Sequence, residues 1–279
     1  MSLVADESSC LEMMRSATRA IAYFTHQAMQ QGLESVRLAR AGFALITSGC
    51  SRSGPFPGHA LATYLTATQQ RDGGWADVEE TLWCLGYLGA FGDKYDVQLA
   101  NGRNWLASVR LPCGAWGRNE RDQPRIPVTA LATALVPESI NASAIAWLTS
   151  EWEGDLAGSV QLTYKGGFFL LAARHPRFSK ADGLIDRTIS YLLKEQEEDG
   201  GFAPWKGHPA GSDPWSTGVV LWALSRFHSH WPPHVIERAL LWLQSKQLPN
   251  GLWPYHYLDD GTAMALIGIT SVLPHLSER

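Results

Sequence analysis

The chain has 279 residues, enough to bury a sizeable core in one large closed architecture. With 23 Lys and Arg against 27 Asp and Glu, its net charge of −4 argues against a nucleic-acid surface. A content of 45% hydrophobic and only 18% charged residues, with 12 tryptophans, excludes a disordered chain.

From the N-terminus, Tyr23-Phe24 with Gly32 is the first, eroded copy of a repeat. A full copy follows as Tyr64-Leu65, Gln69, Gly73 and Trp75: an aromatic-Leu pair, then Gln, Gly and a second aromatic at fixed offsets. The acidic run Asp77-Val78-Glu79-Glu80-Thr81 then opens an almost uncharged segment, 81–92. Trp105-Leu106, Arg110, Gly114 and Trp116 repeat the pattern with Arg in the Gln position. A charged connector, 118–125, leads into the apolar segment 126–136. Trp147-Leu148, with Trp152 in the Gln position, is a second eroded copy. The amphipathic segment 179–196 carries Tyr191-Leu192 and Gln196, followed by Gly200 and Phe202. A long connector with His208 and Asp213 precedes the apolar segment 214–224. Segment 234–247 carries Trp242-Leu243 and Gln247, followed by Gly251 and Trp253. Tyr255, His256, Tyr257, Asp259 and Asp260 then precede the last apolar segment, 262–273. The starting aromatics stand at 23, 64, 105, 147, 191 and 242, so successive copies lie 41, 41, 42, 44 and 51 residues apart.

Segments before each motif place apolar residues at helical spacing with charges opposite, whereas those after it are apolar all round and must be buried on every side. Six half-polar helices therefore alternate with six apolar ones. The economical packing is all-α: an (α/α)6 toroid with an inner apolar ring and an outer amphipathic ring, one domain over residues 1–279. Within the motif, Gln can bond backbone groups left unpaired at helix termini. Gly supplies a left-handed turn, and Trp closes the gap between units by burying a large area. Trp75, Trp116 and Trp253 thus read as structural.

This repeat resembles the QW repeat of the squalene–hopene cyclases, oxidosqualene cyclases and class II diterpene cyclases, over nearly the whole chain. Members usually carry two such barrels with the cavity between them; this chain has length for one. The resemblance implies an apolar polyprenyl or terpenoid-like substrate, cyclised or isomerised by protonation, with no metal and no cofactor. The family's acid motif, Asp-x-Asp-Asp-Thr-Ala, opens an inner helix, and its middle acid protonates an alkene or epoxide. Asp77, Glu79 and Glu80 before Thr81 are similar to it, with both later aspartates replaced by glutamate. Asp259 and Asp260 resemble it with a glycine inserted and Tyr257 in the place of the first Asp. On that resemblance Glu79 or Asp259/Asp260 is the acid, tuned by Asp77, Glu80 or one of the histidines His208 and His256.

Protonating a double bond needs an acid kept protonated in a dry pocket, and desolvation together with a like-charged neighbour raises a carboxyl's pKa. The resulting cation needs aromatic faces and no water; Trp83, Trp215, Trp222, Tyr255 and Tyr257 are the candidates. In a toroid of hairpins the connectors converge on one mouth, where a pocket is expected. Each acid, like Asp213, also reads as a cap or helix-dipole partner worth about 0.3–1 kcal/mol. His208 and His256 also read as ordinary loop histidines. Connector 118–125, with Glu120, Arg121 and Asp122, reads as a solvated loop or a holder of a ligand phosphate.

A second function class follows: a non-catalytic toroid that binds a lipophilic ligand or a protein partner. A paired-carboxylate carbohydrate enzyme needs a polar cleft, which these apolar inner helices do not offer. There is no Asp-Asp-x-x-Asp run, no phosphate-binding Gly loop, and Trp215 stands where a zinc-binding cysteine would follow Asp213. The four cysteines (Cys10, Cys50, Cys84, Cys113) show no CxxC spacing, and no run of about 18 apolar residues suggests a membrane span. MSLVADESSC lacks the features of a secretory signal, so a cytoplasmic location is expected. The sequence is compatible with a homo-oligomer and with peripheral membrane contact.

Overall fold

The computed structural model describes residues 7–49, 58–159, 161–178 and 182–276; Cys50 and the expected helix start at Ser179 fall outside them. Helices α1 (Glu7–Gln30) and α2 (Ser35–Thr47) form the first hairpin, α3 (Gly58–Thr68) and α4 (Val78–Gly89) the second. They are followed by α5 (Asp96–Ser108) with α6 (Ile126–Leu135), and α7 (Ala142–Ala157) with α8 (Thr163–Ala173). The last pairs are α9 (Asp182–Glu195) with α10 (Pro214–Ser225) and α11 (Pro233–Lys246) with α12 (Leu258–Leu276).

The all-apolar segments become the even-numbered helices, which pack in the order α2, α4, α6, α8, α10, α12, with α12 returning to α2. The odd-numbered helices lie outside them. The architecture is therefore the helical toroid that alternating polarity required. Helices α4 and α12 begin earlier than the charge-free segments 81–92 and 262–273 because their first turns carry Glu79 and Glu80, and Asp259 and Asp260. Asp77 caps α4 by accepting from Glu80 N at 2.8 Å, and Asp213 caps α10 by accepting from Ser216 N at 2.7 Å. At the α10–α12 seam the backbones touch. A Cβ on Gly218 would overlap the Met264 carbonyl, and one on Gly268 would lie 2.5 Å from that of Gly218.

The repeat divides its work differently from the sequence expectation. Gln69, Gln196 and Gln247 donate to their own motif glycine carbonyl and to a carbonyl of the next outer helix: Gln98, Val235 and Met13 respectively. The last of these ties α11 to α1 and closes the outer ring. The helix-end capping assigned to Gln is instead performed by Trp. The indoles of Trp75, Trp116 and Trp253 donate to the last-turn carbonyls of Leu65, Leu106 and Leu243 at 3.0, 2.8 and 2.7 Å. In the eroded copy Trp152 takes over the bridging role, donating to Thr188 of α9 at 2.7 Å. Gly73, Gly114, Gly200 and Gly251 all adopt positive φ, between 87° and 98°, as the turn after each outer helix demands.

Candidate active site

Four inner helices are rotated into one register by a shared bond. Thr81, Thr129, Thr217 and Thr262 each accept the backbone N–H of the preceding motif aromatic, Trp75, Trp116, Phe202 and Trp253, at 2.9–3.0 Å. Two residues before these threonines stand Glu79, Pro127, Trp215 and Asp260. Glu79, Pro127 and Trp215 line one cavity of about 220 Å³, and Asp260 bonds Arg40, which lines it as well. The register needs no inserted glycine. Asp260, not Asp259, therefore matches Glu79, and Asp259 turns away.

Arg40 of α2 sits between the two acids. It meets Glu79 at 2.8 Å and also bonds Asp260, so the starts of α4 and α12 share one guanidinium. Glu79 has a second cation: Arg118, from the connector after α5, reaches it at 2.9 Å. That connector is fixed over α4 because Val78 N donates to the Arg118 carbonyl at 2.8 Å. Burial alone would raise the Glu79 pKa, but the opposing pull of Arg40 and Arg118 leaves it below the usual glutamate value. Asp260 is the reverse case. Burial pushes its pKa up, aided by Asp259 and Glu79, and Arg40 only partly offsets this.

Arg125, paired with Asp122 at 2.6 Å, also lines the cavity, and the remaining walls are apolar and aromatic. Trp83, Leu131, Phe168, Trp215 and Met264 form its walls, with Tyr164 packed edge-on to Trp215 at 5.8 Å between ring centroids. Trp215 also stacks on Tyr255, 6.4 Å apart and within 4° of parallel. Beyond that pair lies a second cavity of about 470 Å³, lined by His208, Asp213, Tyr255 and His256 among others. Among the described residues no group of three or more His, Cys, Asp or Glu could hold a metal ion, and no helix is long and apolar enough to cross a membrane.

No family model matches the sequence. It is 24% identical over 248 residues to the drimenyl diphosphate synthase of Streptomyces showdoensis, covering 77% of this chain and 46% of that protein. The chain thus spans about half the length of this curated relative. A variant of the type II terpene cyclase MstE from Scytonema, solved with geranylgeranyl dihydroxybenzoate, superposes with a TM-score of 0.69. The match is 15% identical and covers 95% of this chain and 99% of that one. The ent-copalyl diphosphate synthase from Streptomyces platensis superposes with a TM-score of 0.63 at 17% identity, over 86% of this chain and 50% of that one. The chain shares its fold with type II terpene cyclases.

Of the sequence candidates, Glu79, Trp83 and Trp215 line the mouth cavity and Asp260 stands beside it. Asp259 is 1% exposed and held by Arg37, at 2.9 Å and 2.5 Å, as a two-point ion pair between α2 and α12. Asp77 serves as the α4 cap, and Glu80 is buried away from the cavity lining. Trp222 lies behind the wall, packed on Trp83 and Phe43. Tyr255, His208 and His256 belong to the second cavity, and Tyr257 is 56% exposed beneath the Arg37 guanidinium.

Sequence reasoning missed Arg37, Arg40, Tyr164 and Phe168. The signal for the first two was present: Arg37 and Arg40 are the charges of an otherwise apolar helix, three residues apart and so on one face. An inner helix buries such charges only against partners.

Proposed function

We propose that the chain is a class II terpene cyclase-like enzyme that protonates a polyprenyl or terpenoid-like substrate in the mouth cavity and so starts its cyclisation or isomerisation. One observation carries this reading: a carboxyl of raised pKa and an ionised carboxylate flank a single buried guanidinium, beside aromatic walls. Asp260 is the acid in this scheme. It gives its proton to an alkene carbon, the electron pair of the double bond forms the new C–H bond, and the carbocation left behind faces Trp83, Trp215 and Tyr164. Arg40 stabilises the carboxylate that remains, and loss of a proton from the product cation closes the balance. Glu79 stays ionised and neutralises Arg40 and Arg118.

At about 220 Å³ the cavity is smaller than the ~300–1,000 Å³ of pockets that enclose a whole drug-sized ligand. It therefore takes the reacting end of a chain, and the remainder runs over the Trp215–Tyr255 pair towards the second cavity. The ligand in the MstE complex and the name of the Streptomyces showdoensis relative both favour a prenyl chain. The ring is proposed to act as one domain.

The test is incubation in D2O with farnesyl and geranylgeranyl diphosphates and the corresponding alcohols, with products identified by mass spectrometry. Protonation-initiated turnover places one deuterium in the product, and Asp260→Asn abolishes it. Unlabelled product, or unchanged turnover in Asp260→Asn, rejects the scheme. A second reading, ligand binding without chemistry, is favoured by the ion pairing of both cavity acids to Arg40. It is the conclusion if prenyl compounds bind and none is converted.

A further inference from the structure

A carbocation formed in the mouth cavity must lose a proton before an alkene can leave, and few groups there can receive one. Arg40, Arg118 and Arg125 line the cavity already protonated. Tyr164 is a neutral phenol whose pKa is pushed up by burial, so no phenolate is at hand. Among the nearby acids, Asp77 caps α4, Asp259 is held by Arg37 and Asp122 pairs with Arg125; none of these three lines the cavity. Glu79 does, as an ionised carboxylate whose side chain is 23% exposed.

The lowered pKa of Glu79 is no obstacle. A carbocation with an adjacent C–H is a far stronger acid than any carboxylic acid, so the receiving carboxylate needs position more than basicity. Arg40 bonds one Glu79 oxygen and Arg118 the other, and the Trp83 indole adds a smaller pull. A carboxylate offers about four lone-pair sites, so room is left for a proton. Arg40 also keeps the charges in balance. One of its terminal nitrogens bonds Asp260 and the other Glu79, so the two carboxyls stand one guanidinium apart. Once Asp260 has given its proton, Arg40 faces two carboxylates and the cation lies beside them. Once Glu79 has taken one, Arg40 again faces a single carboxylate, as at the outset. A cavity of about 220 Å³ leaves the cation little room to move away from both acids. We propose that Glu79 is the base that ends the reaction: the C–H bond next to the cationic carbon breaks, its electron pair becomes the new C=C bond, and the proton goes to a Glu79 carboxylate oxygen. The product is then an alkene and not an alcohol. This rests on the reading of Asp260 as the acid that begins the reaction. Arg40 and Arg118 drive the proton off Glu79 again, and burial favours its return to Asp260 from solvent, which resets both groups.

The probe is farnesyl diphosphate, incubated with the intact chain in D2O enriched in 18O, with products resolved by mass spectrometry. Deprotonation of the cation gives an alkene carrying one deuterium. Capture of the same cation by water gives an alcohol carrying deuterium and 18O. The ratio of the two is set after protonation, so it reports the fate of the cation whatever the initiation rate or the amount of folded protein. The unmodified chain is expected to give the alkene. Glu79→Gln keeps the shape of the side chain and removes the base; its alkene-to-alcohol ratio is expected to fall about 100-fold, the low end for a positioned acid–base group. Glu79→Asp restores a carboxylate and recovers part of the ratio. An alcohol as main product of the unmodified chain, or an unchanged ratio in Glu79→Gln, overturns the assignment. So does loss of every labelled product in natively folded Glu79→Gln, which puts Glu79 in the first step. Asp260→Asn keeps the two claims apart. If it abolishes turnover while Glu79→Gln keeps the ratio, the base falls and the acid stands. If it leaves turnover unchanged while the ratio falls in Glu79→Gln, the acid falls and the base stands. No deuterated product from the unmodified chain removes both.

Discussion

The starts of α4 and α12 are built on one plan and reach different electrical states. In each, a threonine takes the N–H of the preceding motif tryptophan, and the acid two residues earlier meets Arg40. At α4 a second guanidinium, Arg118, arrives from the next connector and holds Glu79 ionised. At α12 the neighbouring arginine, Arg37, is engaged by Asp259. Among the described residues Asp260 has Arg40 alone, and burial raises its pKa. Repeat register thus decides where an acid stands, and residues outside the repeat decide whether it keeps its proton.

The most severe way to break this comparison is through turnover. Asp260→Asn is expected to lower kcat by about 100–10,000-fold, the range of a lost general acid. Glu79→Gln, which removes a charge partner and not the donor, has the smaller effect. Product rates by mass spectrometry, with circular dichroism to confirm folding, decide it; equal losses would erase the distinction. Next in size, Arg40→Ala removes the cation both acids share and is expected to cost about 3 kcal/mol in urea unfolding, near the lower end for breaking a buried pair.

Stability against pH sharpens the contrast, because the two shifts have opposite signs. The folded-state pKa of Asp260 is raised, so its contribution is full below its ordinary value of 3.8 and is lost as pH climbs through the raised value. That of Glu79 is lowered, so its contribution is present above its ordinary value of 4.5 and is lost as pH falls through the depressed value. Urea midpoints measured across the acidic range should therefore fall less steeply with rising pH in Asp260→Asn. They should fall less steeply with decreasing pH in Glu79→Gln. Asp77→Ala is expected to cost about 1 kcal/mol by removing the α4 cap, while Asp77→Asn retains a capping oxygen and most of the stability. The smallest effect is that of Arg118→Ala. Its half-exposed ion pair is worth about 0.5 kcal/mol. The variant should nonetheless raise the Glu79 pKa and make the start of α4 resemble that of α12, read by carboxylate titration in NMR.

The ring was legible because it is encoded locally. Alternating polarity sets which helices are buried, and the spacing of the repeat aromatics sets how many hairpins there are. The convergence of both acidic starts on one opening followed from that topology. The division of labour within the motif was not legible, since Gln and Trp are both competent donors and only the fold shows that Trp reaches its own helix end and Gln the next helix. Nor was the choice between Asp259 and Asp260, which differ by one residue and by about a hundred degrees of helix rotation. The Thr262 bond to Trp253 fixes that rotation.

The sequence alone determined the layered ring, the placement of acids at the inner-helix starts and the aromatic character of the interior, because each depends on periodicity and composition along a short stretch of chain. Only the tertiary structure decided which acid is ionised, since that depends on Arg40, Arg118 and Arg37. These arginines approach across 39, 39 and 222 residues of sequence, and Coulomb forces act through space and not along the chain.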